Sequence, residues 1–519
     1  MNPISFADMH GFESDPFAST NSEDEDLLED YFVPPPYFVS VLGDPQTPKS
    51  RVIFAPRGGG KTAQRRMIEI RCMDPDIPFV CITYDHFDSG NLPNLSLLDH
   101  LQTLCKLLTV AILEHLDRHP DQANDLSDHE KRLVKVAAET FASGMSQSEY
   151  RTAFSAVKSL GDRATELWQK YGGVIAAGIN VAMKKAGLDD ISIPAQLRSQ
   201  AQNFDESARY FYEQLVDIIN GPLRGGSIYI LVDKVDETAA TNAKPAAAWS
   251  LIENLIQDLP TIEKKGVAFK FFLWDRLRPH FYEANARGDR IQPALLEGWD
   301  SLQLRMMLSR RLSAYSENKI SNFNDLLEHE SRINGHLLLS LLANGSPREM
   351  IRMAESIAAE HTRVRMEKHR ITDEEVTAGI TKYSAARTEE LAGLELDQLK
   401  KLRQITFTRK HLRETLQISK PEAKEILARW IALGLVNRLG EISDEIGGSS
   451  RRYGLSDLRI LLALHTDVPA EQLLSDHAFE CDSCSTIAIT DQAQTRCLKC
   501  GNDFRAVDVR SLADVTTAS

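Results

Sequence analysis

RVIFAPRGGGKTAQRRMI occupies residues 51–68. The mostly apolar run Arg51-Val52-Ile53-Phe54 predicts a short strand. Gly58-Gly59-Gly60 predicts a loop, and the stretch after Thr62 favours a helix. Strand, glycine loop, helix is the order in which backbone N–H groups converge on phosphate oxygens at a helix N-terminus. On this reading Pro56, Arg57, Gly58, Gly59, Gly60, Lys61, Thr62 and Ala63 wrap a nucleotide. Gly60 lets the backbone approach the phosphates, Lys61 reaches the β- and γ-phosphates, and the Thr62 hydroxyl ligates Mg²⁺. Ala55 stands where the pattern G-x-x-x-x-G-K-[ST] has its first glycine. The plain alternative is a glycine-rich turn with a surface lysine.

The chain has 519 residues, enough for roughly two to four domains. Its apolar fraction of 42% is that of an ordinary globular protein. A net charge of −14 speaks against a protein that coats nucleic acid with its whole surface, though not against a local basic module. Met1 to Pro16 lacks the basic start and apolar core of a secretory leader. The apolar run Gly172 to Met183 is too short to span a bilayer and predicts a buried helix. Cys72, Cys81 and Cys105 are read as reduced core thiols, so the expected compartment is the cytoplasm.

Residues 1–45 open with an acidic cluster from Glu23 to Asp30. Leu27-Leu28 and Tyr31-Phe32 give that segment an apolar face, expected to pack on the nucleotide-binding core. Phe79 to Tyr84 predicts a second strand. Residues 96–220 keep the three- and four-residue apolar spacing of helices and form a long helical insert within a core spanning 46–290. Ser227 to Glu237, SIYILVDKVDE, is a continuous apolar strand ending in acids, as in a parallel sheet buried on both faces. Asp233 sits where ligands bind in such sheets and would hold Mg²⁺ through water. Asp236 and Glu237 are the candidates to polarise an attacking water. Gly266 to Asp275 is a further buried strand, followed by Arg276 and Arg278, either of which could meet phosphoryl charge in its own or a neighbouring subunit. From 291 to 370 the pattern is helical, with Gly345-Ser346-Pro347-Arg348-Glu349 closing one helix and opening the next.

The series APRGGGKT, ILVDKVDE, a strand ending in WDR and a helical lid with GSPRE resembles the AAA+ ATPases of the origin-recognition and initiator branch. The resemblance runs from about residue 15 to 370. It implies an α/β P-loop core with a parallel sheet, a helical lid, ATP with Mg²⁺, assembly into homo-oligomers, and a sensor role for Arg348 at the γ-phosphate. One departure is Lys234, where most of these proteins carry Glu after the Mg²⁺-binding Asp. The spacing D-x-x-D-E is instead similar to STAND-class signalling NTPases, which implies slow turnover.

Residues 398–460 hold 13 Lys/Arg against 7 Asp/Glu, a net of +6. Arg409 to Leu416 and Lys420 to Leu433 are helical around a short turn. Two strands, Leu435 to Leu439 and Arg451 to Leu455, flank a polar loop containing Gly447-Gly448-Ser449-Ser450. This resembles a winged helix, placed within 371–470, which implies duplex DNA as partner. Lys420 and Lys424 would lie at the major groove, and Arg451 and Arg452 at phosphates or the minor groove. Cys481-x₂-Cys484 and Cys497-x₂-Cys500 place four thiolates for a closed structural Zn²⁺ site in a ribbon over 478–506, ahead of a tail at 507–519; a redox disulfide is the alternative.

Two functional readings follow. The first is an ATPase switch that docks on DNA. The second is a STAND-like signalling ATPase in bacterial antiviral defence that assembles with a separate effector protein. A DNA-anchored scaffold that never hydrolyses its nucleotide is a third. No membrane association is expected from any of them.

Overall fold

The computed structural model describes residues 4–74, 79–87, 94–158, 183–284, 287–364, 369–443, 449–490, 497, 500–507 and 509. They divide into two units. One comprises 34–57 and 61–297; the other comprises residues up to 33, Gly58–Gly60 and the chain from Gly298 onward.

The first unit is built on a sheet of six strands: β1 (Arg51–Ala55), β2 (Phe79–Tyr84), β3 (Val157–Lys158), β4 (Ser227–Val232), β5 (Val267–Trp274) and β6 (Gln292–Leu295). Their order is β3-β2-β4-β5-β1-β6, parallel throughout except for β3. Every residue of β2, β4 and β5 is buried, as continuous apolar strands require when both faces are covered. The β5 strand therefore lies between the P-loop strand β1 and the acid-ending strand β4, and all their C-terminal ends open on one edge of the sheet.

The β6 strand corrects the expectation that 291–370 is all helix. It is short, contains Pro293 and occupies the outer edge, where proline costs no ladder hydrogen bond, so its apolar signal is weak. The core thus reaches Glu297. The insert is helical as expected, with Leu97–Arg118 and Phe204–Asn220 its longest described members, and the two-residue strand β3 is an addition. The predicted helix at 172–183 lies outside the described residues, except for Met183, which is buried. Cys72, Cys81 and Cys105 are all buried and unpaired by disulfides.

Lys270 is the one cation inside β5 and is fully buried. Its Nζ donates to the Lys49 carbonyl at 2.8 Å and lies 4.6 Å over the Tyr229 ring. Burial lowers its pKa to about 7. The unfolded chain then binds the extra proton between about pH 7 and the ordinary lysine range, so Lys270 makes stability rise with pH across that window. Lys270→Met is expected to flatten that slope in denaturant titrations run at several pH values; an unchanged slope would contradict the assignment.

The second unit contains the helices Ser301–Tyr315, Gly335–Leu342, Pro347–Val364 and Asp373–Ala392. The acidic N-terminal segment was expected on the core; residues 4–33 instead group with these helices. Arg311 is the reason. It is 1% exposed and pairs with Glu25 at 2.6 Å, donates to the Pro16 carbonyl at 2.5 Å, and lies between the rings of Tyr31 and Tyr315. Phe17 packs on Phe323 nearby. A buried guanidinium needs a carboxylate, and the acidic run supplies one.

A winged helix follows. Helices Leu396–Leu402, Arg409–Leu416 and Lys420–Leu433 pack with a three-stranded sheet of β7 (Thr406–Thr408), β8 (Val436–Ser443) and β9 (Ser449–Leu455), ordered β7-β9-β8. Ser419 caps the Lys420 helix in a capping box with Glu422, and Pro421 suits its first turn. Trp430 is fully buried and donates through its indole N–H to Glu395 at 2.8 Å. Gly447-Gly448 of the wing loop lies outside the described residues. Last come β10 (Ala478–Cys481), β11 (Ile487–Ile489) and β12 (Phe504–Ala506), an antiparallel ribbon with β10 in the middle. Of the tail, Val507 and Val509 are described, and both are buried. Among the described residues no helix is long and apolar enough to cross a membrane.

Candidate nucleotide site and its surroundings

The P-loop residues fall where the sequence places them, between β1 and the helix Lys61–Arg71. Gly58 and Gly60 have φ of +74° and +85°, conformations that an L side chain resists. Lys61 is buried, and its ammonium turns toward the carbonyls of Ala55 and Pro56 at 3.5 and 3.4 Å. Three N–H donors against two long contacts leave capacity for an anionic oxygen.

The Thr62 hydroxyl donates to Asp233 Oδ2 at 3.0 Å. These two residues lie 171 positions apart in sequence, and the β1 and β4 ends bring them together. Thr62 Oγ and the Asp233 carboxylate thus stand where one divalent cation could meet the first directly and the second through water. Asp233 is 1% exposed and also accepts from Arg65 Nε at 3.0 Å and from the Lys234 backbone N–H at 2.9 Å. Arg65 in turn pairs with the buried Glu69, which accepts from the Thr83 hydroxyl. The sequence reading did not single out Arg65. Its position three residues after Thr62, on the same helix face, was the available signal.

Lys234 replaces the expected acid and has its own partner. It adopts φ +58°, and its ammonium reaches Asp85 at the end of β2, 2.9 Å away. Burial raises the Asp85 carboxyl, but the contacts with His86 and Lys234 overcome it and hold the group below the usual carboxylate range. Because β2 is the direct neighbour of β4, Asp85 stands beside Asp233 in the sheet.

Of the two acids named as water-polarising candidates, Asp236 is 2% exposed and ion-paired with Arg57 at 2.8 Å. The same guanidinium donates to the Asp236 carbonyl at 2.7 Å and to Asn242 at 2.9 Å, and lies 4.5 Å from the centre of the Trp274 ring. Asp236 is therefore held as part of a clamp on Arg57. Glu237 is exposed. Arg276 and Arg278 are both exposed; Arg276 lies 5.3 Å from the Trp274 ring centre and Arg278 5.7 Å from that of Tyr282.

In the second unit, the glycine triplet lies against the start of the helix Pro347–Val364. A Cβ on Gly58 would stand 2.7 Å from Ser346 Oγ and 3.2 Å from Arg348 Cβ. The Trp299 indole donates to the Gly59 carbonyl at 3.0 Å. Arg348 is half-buried beside these glycines. The next residue, Glu349, is buried and pairs with Arg459 and with Arg387, at 3.1 Å in the latter case. Arg459, from the helix Leu458–Leu464, also pairs with Asp457 at 2.6 Å, and Asn344 donates to the same Asp457 at 3.1 Å. This network ties the GSPRE turn to the helix that leaves β9. Arg459→Met removes the cation paired with buried Asp457 and one of the two paired with Glu349, and is expected to destabilise this unit by about 3–5 kcal/mol, read by urea unfolding. A loss below ~1 kcal/mol would show that the network carries little.

Lys420 and Lys424 are exposed on the third helix of the winged helix, Lys420–Leu433, alongside Glu422 and Glu425. Arg451 is exposed, whereas Arg452 is half-buried and donates to Thr406 on β7 at 2.8 Å. At the ribbon, Cys481 and Cys500 Sγ are 3.4 Å apart, and Cys484 and Cys497 Sγ 3.6 Å. All four sulfurs lie within 4.8 Å of one another. The pairs are far longer than a disulfide bond of about 2.05 Å and suit a tetrahedral S₄ cage, so the residues present fit zinc. Glu480 of the same ribbon is buried, accepts from the Ser301 hydroxyl and faces Arg505, while the Val509 carbonyl accepts from Asn334 N–H at 2.7 Å. The ribbon is thus seated on the lid helices.

No protein-family model and no curated protein matches the chain. Among solved structures it is similar to the Aeropyrum pernix ORC1 protein in complex with DNA, at 14% identity and a TM-score of 0.36, over 88% of this chain and 98% of that one. It is also similar to the ADP form of the A. pernix ORC2 protein, at 13% identity and a TM-score of 0.34, over 86% and 94% of the two chains. The ADPNP–ADP complexes of that protein give 13% identity and a TM-score of 0.29, over 89% and 96%. The fold described above rests on the strand order and loop geometry, not on these likenesses.

Proposed function

We propose that this chain is an ATP-dependent switch of AAA+ type that binds ATP with Mg²⁺ and docks on duplex DNA. The observation that carries the nucleotide reading is the Thr62–Asp233 contact of 3.0 Å beside a buried P-loop lysine, on strands with the order described. Lys61 would neutralise the terminal phosphates, Thr62 and Asp233 would hold the metal, and Arg348, set against Gly58, would report the γ-phosphate to the lid helix. Hydrolysis would be slow. The residue after Asp233 is a lysine engaged with Asp85, and of the two candidate acids to activate water, Asp236 and Glu237, the first is engaged with Arg57. The Mg²⁺ supplies charge neutralisation when bound. Oligomers in which Arg276 or Arg278 serves a neighbouring site belong to the same reading.

DNA docking is supported by the winged-helix architecture and by the exposed Lys420, Lys424 and Arg451. Duplex DNA is expected to raise the ATPase rate of the wild type and not that of Arg451→Ala/Arg452→Ala. Equal rates with and without DNA would remove the DNA half of the proposal. If Lys420 and Lys424 each meet a phosphate, replacing both with Ala lowers the slope of log affinity against log salt by about 2, measured by fluorescence anisotropy. An unchanged slope would place them off the DNA.

A second reading, the STAND-like signalling ATPase with a separate effector, is favoured by one observation. The exposed face of the helix Lys420–Leu433 interleaves Lys420 and Lys424 with Glu422 and Glu425, a pattern suited to a protein surface as much as to phosphates. In that case DNA leaves the ATPase rate unchanged and a protein trigger drives assembly.

A further inference from the structure

Away from the P-loop and the cysteine cage, three histidines and a glutamate meet inside the second unit. His361 lies near the end of the helix Pro347–Val364 and is 0% exposed. Its Nδ1 is 2.8 Å from Glu375 Oε2, on the first turn of the helix Asp373–Ala392. His369 Nε2 is 3.5 Å from the other oxygen, Glu375 Oε1, and the His361 and His369 ring centres are 4.1 Å apart. One donor atom from each of the three lies within 4.8 Å of the others. On the far side of the His361 ring, Nε2 is 3.2 Å from Nε2 of His10, which comes from the N-terminal segment.

We propose that His361, His369 and Glu375 form a second metal site, for Zn²⁺ or a similar borderline divalent cation, with His10 orienting His361 from the outer shell. Two imidazoles and one carboxylate are a donor set that zinc accepts, with a further position left for water. The contacts already bring the donors to the separations that ligands of one ion of this size adopt. Glu375 is anchored, because its Oε2 also accepts from the Thr372 backbone N–H at 3.0 Å in a capping box. His10 Nε2, 3.2 Å away, stands where it can serve the second nitrogen of His361, as a ligating histidine's partner usually does. The nearby Arg370 guanidinium is turned to the carbonyls of Asp325 and Leu327, at 2.6 and 3.0 Å. An ion here would fasten the helix Pro347–Val364, which carries Arg348 in its first turn, to the next helix and, through His10, to the N-terminal segment.

The test is metal content and spectroscopy of the full chain, reconstituted with zinc or with cobalt and freed of excess. The wild type is expected to hold about two equivalents of zinc, and His369→Ala and Cys481→Ser/Cys484→Ser about one each. Cobalt in the cysteine variant should show weak d–d bands without sulfur-to-metal charge transfer. If His369→Ala does not fold, Glu375→Gln and the cobalt spectrum of the cysteine variant decide. A wild type with about one equivalent that the cysteine variant loses entirely would overturn the proposal. So would retention of about two equivalents in His369→Ala or Glu375→Gln. None of these readouts depends on ATP turnover, so failure here leaves the nucleotide proposal untouched.

Discussion

Lys61→Ala is expected to abolish ATP binding and to lower turnover by at least ~10²–10³-fold, the scale on which losing one preorganised charge donor acts. The residue is buried at the loop, and two nearby cations are already engaged: Arg57 with Asp236, and Arg65 with Asp233 and Glu69. Binding is checked by titration with a fluorescent ATP analogue and turnover by phosphate release. Asp233→Asn supplies the complementary result. It keeps a side chain for the Thr62 hydroxyl but removes the charge, so nucleotide binding should persist while its Mg²⁺ dependence weakens. Wild-type turnover in Lys61→Ala would refute the site assignment, and so would a Mg²⁺ titration unchanged in Asp233→Asn.

Cys481→Ser/Cys484→Ser is expected to unfold the ribbon and leave the rest of the chain folded. The three strands β10, β11 and β12 hold three or four residues each, too few to build a core. Metal binding in small zinc modules is worth about 10–16 kcal/mol and supplies the folding free energy they lack. Because Glu480 meets Ser301 and Val509 meets Asn334, losing the ribbon should also loosen the lid helices locally. Hydrogen exchange should show protection lost over 478–490 and raised exchange near Ser301 and Asn334, with the sheet of the first unit unchanged. Native protection across 478–490 in the variant would show that the cysteines are not what folds the ribbon.

The readings that failed from sequence did so for identifiable reasons. The β6 strand is brief, sits at an edge and carries proline, so neither apolar content nor alternation betrays it. The apolar face beside the acidic run from Glu23 to Asp30 signals packing but not against what; the partner, Arg311, lies 286 positions from Glu25. Asp236 is a different case: its position after Asp233 makes it a candidate base, and the ion pair with Arg57 is visible only in the tertiary structure. His10, His361, His369 and Glu375 have no sequence spacing that marks a site, since three separate segments deliver them.

By itself the sequence determined what depends on neighbours along the chain. That covers the P-loop, whose glycines set local φ, and the buried strands, whose apolar runs leave no polar face. It covers the capped helices of the winged module and the paired C-x-x-C turns. Tertiary structure alone decided which distant charges meet: Thr62 with Asp233, Lys234 with Asp85, Arg57 with Asp236, and Arg459 with Glu349. Backbone preference acts within a few residues, so it leaves a trace in sequence. A buried charge finds its counter-charge through the packing of whole elements, and that choice is made only when the sheet and helices close around it.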